Sequence, residues 1–299
     1  MNSVLASFGL QGGDEIVTTS HAYGAVMKAM RIWAARFGAK VVVAQIPVIV
    51  ESEEQVVQAV AQSFSERTKL LVVDHITSAT ATIFPVAEIV KAAHARGIAV
   101  LVDGAHAPGQ VPLDVDAIGA DWYTGNAHKW LFAPKGCGLL WTAPQRQSQT
   151  LPVVLSHGAP DGYMHAFDWI GTRDVTPWLC FEAAAQFHDS LGGESLMTRN
   201  CDLAAKASAT LAGKLGMTVN APVTMRGAMA CLTLQPSPMD SSGAASFIMR
   251  IRECCGAVLP AYVFENAFCI RISAQIYNEL RDFESLANAV PIALQQVLK

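Results

Sequence analysis

Two short runs in this sequence combine residue types that can do covalent chemistry. In the first, Ile98-Ala-Val-Leu-Val-Asp103 is a β-branched stretch that ends in an acid and runs on into Gly104-Ala-His106-Ala-Pro-Gly109. In the second, beyond the next strand-like segment, comes Asn126-Ala-His128-Lys129-Trp130-Leu-Phe-Ala-Pro134-Lys135-Gly136. A lysine amine condenses with an aldehyde to form a Schiff base. A carboxylate opposite a pyridine nitrogen keeps that ring protonated, so that it accepts electrons from a substrate's α-carbon. Asp103 and Lys129 at one sheet edge are what a pyridoxal-phosphate enzyme needs. Taken singly, each has a plainer use. An Asp at a strand end commonly caps a turn. A lone Lys is commonly a solvated charge, as Lys135 is expected to be, and His94 on its helix is expected to be structural.

For the two groups to meet, neighbouring strands must deliver them to the same edge. Over the first 145 residues, strand-like segments at 15–19, 40–46, 69–75, 98–103, 121–125 and 138–142 alternate with helical periods at 25–37, 53–64 and 86–96. The last of these opens after Pro85 and closes at Gly97, as helix start and stop signals require. Such alternation predicts an α/β fold with a mainly parallel sheet and helices on both faces. Ligands then bind at the carboxyl ends of the strands. From about residue 176 the pattern changes to long helical periods at 177–191 and 194–215, strands at 229–234, 257–264 and 268–273, and a final helix at 279–298. The expected organisation is a large cofactor-binding domain over residues 1–175 and a smaller C-terminal α+β domain over 176–299.

Composition narrows the function classes. The chain has 299 residues, 52% of them hydrophobic and 15% charged, with 21 basic and 25 acidic side chains and a net charge of −4. A chain this long exceeds one small module and is expected to bury ~75% of its surface. The charged fraction, below the usual ~25%, points to surface hidden in a subunit contact. With no basic run, nucleic acid is not an expected partner. The mean hydropathy of +0.30 raises the question of a membrane. The most apolar run, residues 41–50, includes Gln45 and Pro47, and a span needs ~20 residues. Residues 1–13 carry no Lys or Arg, as the n-region of a secretory signal would. Seven scattered cysteines without a C-x-x-C pair fit a reducing compartment. A cytoplasmic protein without a resident metal is expected.

Four motifs in register then resemble one family over the whole chain: Leu101-Val-Asp103-Gly-Ala-His106, Gly125-Asn-Ala-His128-Lys129-Trp-Leu, Gly171-Thr172-Arg173-Asp174, and Arg271-Ile-Ser273-Ala-Gln-Ile-Tyr277-Asn278. They are similar to the class V aminotransferases, fold-type I pyridoxal-phosphate enzymes, and in particular to the isopenicillin N epimerase-like branch. The resemblance implies pyridoxal 5'-phosphate as cofactor, with Lys129 as the Schiff-base lysine and Asp103 as partner of the pyridinium nitrogen. His106 takes the position from which a family side chain, often Gln, approaches the cofactor's phenolic oxygen. His128 and Asn126 would help hold the phosphate, although Asn126 stands where many relatives have Ser. Thr172 would reach the phosphate bound by the other subunit of a homodimer with shared active sites. Arg271 would clamp the carboxylate of an amino-acid substrate. Tyr23 would stack on the cofactor ring, with His21 as the alternative. Against the family pattern, the chain opens in the helix that follows the phosphate-binding loop, so an N-terminal arm and that loop are expected to be missing.

The resemblance implies an enzyme acting on an amino acid through an external aldimine, by transamination or epimerisation. Two other readings compete. One is a shortened, weakly cofactor-binding homologue without catalysis. The other is a carbon–sulfur lyase or cysteine desulfurase. A desulfurase needs a nucleophilic thiol in a mobile loop before Arg271. Cys254 and Cys255 lie near that place but end a helical period.

Overall fold

The computed structural model describes residues Met1–Lys299. In chain order its elements are α1 (Asn2–Ser7), β1 (Glu15–Thr19), α2 (Gly24–Phe37), β2 (Lys40–Ala44), α3 (Glu53–Gln62), β3 (Thr68–Asp74), α4 (Val86–His94), β4 (Ala99–Gly104), α5 (Val115–Ile118), β5 (Trp122–Asn126), α6 (Ala127–Trp130), β6 (Gly138–Thr142), α7 (Pro144–Gln147), α8 (Tyr163–Asp168), α9 (Thr176–Leu179), α10 (Phe181–Ser190), α11 (Glu194–Leu215), β7 (Thr218–Val219), β8 (Met229–Leu234), α12 (Ser241–Cys255), β9 (Ala261–Phe264), β10 (Ala267–Ser273) and α13 (Leu280–Val297). They form two compact units. One comprises Met1–Ile46, Glu54–Ile76 and Phe84–Leu191, the other Pro47–Glu53, Thr77–Ile83 and Gly192–Lys299.

The first unit is built on a six-stranded sheet of order β2-β1-β3-β4-β5-β6. Every pairing is parallel except β5 with β6. Its central strands are buried along their length because both faces are covered. All of β1 and β4 is buried, and in β3 only Lys69 is exposed. A cluster of Leu5, Ile16, Met30, Leu70, Leu101 and Trp122 packs on this sheet, each such side chain contributing roughly 1.5–3 kcal/mol by leaving water. The antiparallel β6 follows from its connection: the only helix between it and β5 is the four-residue α6, whereas a parallel return needs a crossover of a dozen residues or more.

The second unit carries a four-stranded antiparallel sheet of order β7-β8-β10-β9. Phe247 and Phe268 meet edge to face at 5.2 Å in its core, beside Leu211, Leu232, Ile270 and Val290. Local chemistry sets the helix starts. Asp240 accepts from the Gly243 N–H at 2.8 Å to open α12, and Glu279 with Asp282 forms a capping box on α13.

Two expectations are corrected. The helical period at 177–191 is two helices, interrupted at Cys180, which is both C-cap of α9 and N-cap of α10. The strand expected to begin at residue 257 begins at Ala261, because Pro260 has no N–H to give to a ladder.

Candidate active site

Parallel pairing aligns the ends of the strands. Asp74, the last residue of β3, is in register with Asp103 of β4, and Asp103 with Thr124 of β5. Both carboxylates are buried, 5% and 6% exposed. The Asp103 carboxylate accepts from the Ala105 N–H at 3.1 Å, and its carbonyl accepts from the His75 N–H at 2.8 Å. Burial pushes the Asp103 carboxyl above its ordinary range, while the Ala105 N–H and the charge of Lys129 pull it back. Asp74 is held well above the carboxylate range, first by burial and then by Asp103; the Tyr23 backbone N–H and Lys129 act in the opposite sense.

Lys129 lies on α6, immediately after β5, and is exposed. Its Nζ is 3.1 Å from His106 Nε2. On the other side of that ring, the Trp130 indole N–H donates to His106 Nδ1 at 3.3 Å. The turn after β4 is made to fit. At Gly104 a Cβ would sit 2.0 Å from the Tyr123 hydroxyl, and at Gly109 (φ +80°) it would sit 2.7 Å from the Trp130 carbonyl. Neither position admits a side chain. The Tyr123 hydroxyl pairs with His75 Nδ1 at 2.8 Å. Burial lowers the His75 imidazole to about 4, so it is neutral at pH 7, and raises the Tyr123 hydroxyl well above its usual value.

The other residues singled out from sequence fall as follows. His128 Nδ1–H donates to the Cys137 carbonyl at 3.0 Å, so its Nε2 donates to an anion only as an imidazolium. Asn126 ends β5 in extended backbone, paired with Gly138. Tyr23 is the N-cap residue of α2 and is 52% exposed. His21 is 1% exposed and donates to the Ile46 carbonyl at 3.1 Å, a core position. Thr172 is exposed between α8 and α9.

Arg271 belongs to the second unit, on β10. It donates to the Ser78 carbonyl, its Nε is buried without a hydrogen-bond partner, and it lines a cavity of about 540 Å³ with Leu259, Tyr277, Asn278 and Phe283. The motif around it is partly structural. Arg199 donates to the Gln275 and Asn278 carbonyls at 3.1 and 2.7 Å, and Asn200 donates to Gln275 Oε1 at 2.8 Å.

Sequence reasoning gave no role to Asp74, His75, Tyr123 or Trp130. For Asp74 the signal was present, because it ends a hydrophobic strand as Asp103 does. For Tyr123 and Trp130 only the fold turns their polar atoms toward histidines.

Comparison with known proteins agrees with this architecture. The family model for class V aminotransferases matches residues 1–286, and the chain belongs to that family. It is 32% identical to a putative L-cysteine desulfhydrase of Oryza sativa subsp. japonica, over 93% of this chain and 64% of the rice protein. It is 30% identical to isopenicillin N epimerase of Streptomyces clavuligerus, over 97% of this chain and 76% of that one. Among solved structures, the cysteine desulfurase CsdA of Escherichia coli superposes with a TM-score of 0.79 at 22% identity, covering 99% of this chain and 76% of the other. A C-DES variant with glycine covalently linked to its PLP cofactor superposes with a TM-score of 0.81 at 21% identity, covering 97% and 77%. These two are likenesses of fold. The fold is that of fold-type I enzymes, and the cofactor is pyridoxal 5'-phosphate.

The residues present fit that group. A buried strand-end carboxylate, a lysine amine close enough to bias its charge, and a histidine against that amine supply a partner for a pyridinium nitrogen, a nucleophile for an aldehyde, and a polar contact beside it.

Proposed function

We propose that this chain moves the α-proton of an amino acid, with Lys129 as the base and pyridoxal phosphate as the electron sink. The observation that carries this reading is the Lys129 amine, 3.1 Å from His106 and biasing the buried Asp103 carboxylate on the adjoining strand. When bound, the cofactor would accept the electron pair released at the α-carbon, and Asp103 would hold a proton on its ring nitrogen. His106 would orient the Lys129 amine, and His128 with Asn126 would help to hold the phosphate. Tyr23, exposed at the start of α2, would cover the ring. Arg271 would bind the substrate carboxylate through a two-pronged charge-assisted contact, worth roughly 1.5–3 kcal/mol.

The epimerase-like outcome, return of the proton to the opposite face, is the reading taken here. Cysteine desulfhydrases among the relatives favour carbon–sulfur cleavage as the second. A persulfide-forming desulfurase has less support. Cys254 and Cys255 are exposed but belong to the last turn of α12, where the Cys255 thiol contacts the Ile251 carbonyl at 3.4 Å.

Partnership is proposed on similar grounds. Leu155, Leu179 and Phe187 are 60%, 77% and 51% exposed within the first unit, large apolar side chains that a subunit contact would remove from water. A second copy covering them, with Thr172 from the same part of the chain entering the neighbour's site, is the expected homodimer. The seven free cysteines support a cytoplasmic setting, and no helix is long and apolar enough to cross a membrane.

The test is exchange of the α-proton in deuterated water, followed by NMR over a panel of amino acids with the cofactor-loaded chain. Exchange with inversion supports the epimerase reading, and sulfide and pyruvate from cysteine would replace it with the lyase. No exchange from any amino acid overturns both. Borohydride reduction should fix the pyridoxyl group on the Lys129 peptide; finding it on Lys135 would sink the assignment. For Arg271→Lys, binding of the amino acid should weaken and that of its amide should not.

A further inference from the structure

Trp130 has no assigned role, yet its indole nitrogen makes a contact that constrains the whole Lys129 site. An indole N–H is a donor and never an acceptor. It points at His106 Nδ1 from 3.3 Å, so that nitrogen must present a lone pair. This excludes the imidazolium, which carries protons on both nitrogens, and excludes the Nδ1–H tautomer. The remaining neutral form carries its proton on Nε2, and Nε2 is the atom 3.1 Å from Lys129 Nζ. A protonated Nε2 can only donate, a bond that the uncharged amine can accept and an ammonium, with no lone pair, cannot.

We infer that Trp130 is a positioning residue that locks His106 in its Nε2–H tautomer, so that the imidazole donates to Lys129 and raises the uncharged fraction of its amine. The consequence for the proposed chemistry, on whose reading of Lys129 it rests, is direct. Only an uncharged amine adds to an aldehyde, and an ordinary lysine with a pKa of ~10.4 has on the order of one uncharged amine in a few thousand at pH 7.

The lock is rigid because its parts are packed. Trp130 and His106 are 7% and 8% exposed. The turn carrying His106 lies so close to α6 that a side chain at Gly109 would overlap the Trp130 backbone. Gln110 donates to the His106 carbonyl at 2.7 Å, and His188 donates to the Gly109 carbonyl at 3.2 Å. The backbone that carries the ring is thus fixed, and the ring itself is held between Trp130 and Lys129. Other titratable groups act on Lys129 as well. Asp74 at the end of β3 and Asp103 on β4 favour the ammonium when ionised, and His128 stands beside it on α6. Burial raises the proton affinity of both carboxyls, and Lys129 opposes that rise.

The experiment uses the full chain freed of aldehyde with hydroxylamine. Long-range ¹⁵N–¹H NMR of histidine-labelled protein, with His106 assigned from the His106→Gln variant, should report the Nε2–H tautomer. An Nδ1–H or doubly protonated ring at pH 7 overturns the inference, and this measurement needs only the wild type. The pH profile of Lys129 acylation by acetic anhydride, read by mass spectrometry, gives the second arm. Trp130→Phe keeps the ring but removes the donor, and the midpoint of acylation should rise by on the order of one pH unit. In Trp130→Phe/His106→Gln an amide N–H again faces the lysine, and the midpoint should return toward the wild-type value. A midpoint unchanged in a folded Trp130→Phe overturns the lock. Since no cofactor is present, failure of the pyridoxyl assignment to Lys129 would appear in the borohydride test alone and leave these readouts standing.

Discussion

Two buried aspartates of the same sheet, at opposite ends of neighbouring strands, have opposite fates. Asp103 is the penultimate residue of β4; Asp121 immediately precedes β5. They are 6% and 4% exposed. Asp121 is surrounded by donors: the Val100 N–H at 2.8 Å, Arg146 Nε at 2.6 Å and His94 Nε2 at 2.9 Å. Burial pushes its carboxyl up, but Arg146, the Val100 N–H and His94 together outweigh burial and carry it below the ordinary value. At Asp103 burial is also the largest influence, and one backbone N–H with the charge of Lys129 does not offset it. A carboxylate that accepts on both oxygens from an arginine, a histidine and a backbone N–H is a fastener. One left with proton affinity to spare is available for chemistry.

The comparison can be broken by substitution. The largest effect is expected for Lys129→Ala. α-Proton exchange should fall on the order of 10³-fold, while the melting temperature stays within error, because the side chain is exposed. Retained exchange would remove Lys129 from the chemistry. Asp103→Asn should cost about 10²-fold in exchange and, unlike most buried changes, should not lower stability. The sign follows from its raised proton affinity: ionising it in the fold costs stability, and that cost grows as the pH climbs above 3.8 toward the raised value. The variant should therefore match or exceed the wild type in urea at pH 7. A loss of stability there would mean that Asp103 is a fastener too.

Asp121→Asn should behave in the reverse way. It should leave exchange within about twofold and lower stability by roughly 1–3 kcal/mol, since Arg146 and His94 keep a weaker acceptor. Asp121 has a lowered value, so its contribution is present above 3.8 and lost as the pH falls through its folded value. Urea curves of variant and wild type should converge toward pH 2. The smallest effect is expected for His94→Ala, roughly 0.5 kcal/mol by thermal unfolding. The His94 side chain is 43% exposed, and solvent screens such pairs. A much larger loss would show that the imidazole, not Arg146, holds Asp121.

The succession of strands and helices and the fold class were legible because they rest on local repetition. Short β-branched runs and a helix opened by Pro85 and closed at Gly97 are read residue by residue, without knowing what lies across the sheet. Asp103 and Lys129 could likewise be singled out in one dimension, since strand ends become sheet edges. His94 could be read as structural, and it is the partner of Asp121.

What the sequence could not contain is direction and environment. That Asp74 stands in register with Asp103 depends on β3 pairing with β4, a contact between distant segments. Which carboxylate is satisfied and which is left with proton affinity to spare depends on donors from elsewhere in the chain, Arg146 in one case and the Ala105 N–H in the other. The same holds for Trp130. Its identity says only that it is large and carries one N–H. The tertiary structure decides that this N–H meets His106 Nδ1, because hydrogen bonds and proton affinities belong to neighbours in space, and the chain's order does not specify those until it has folded.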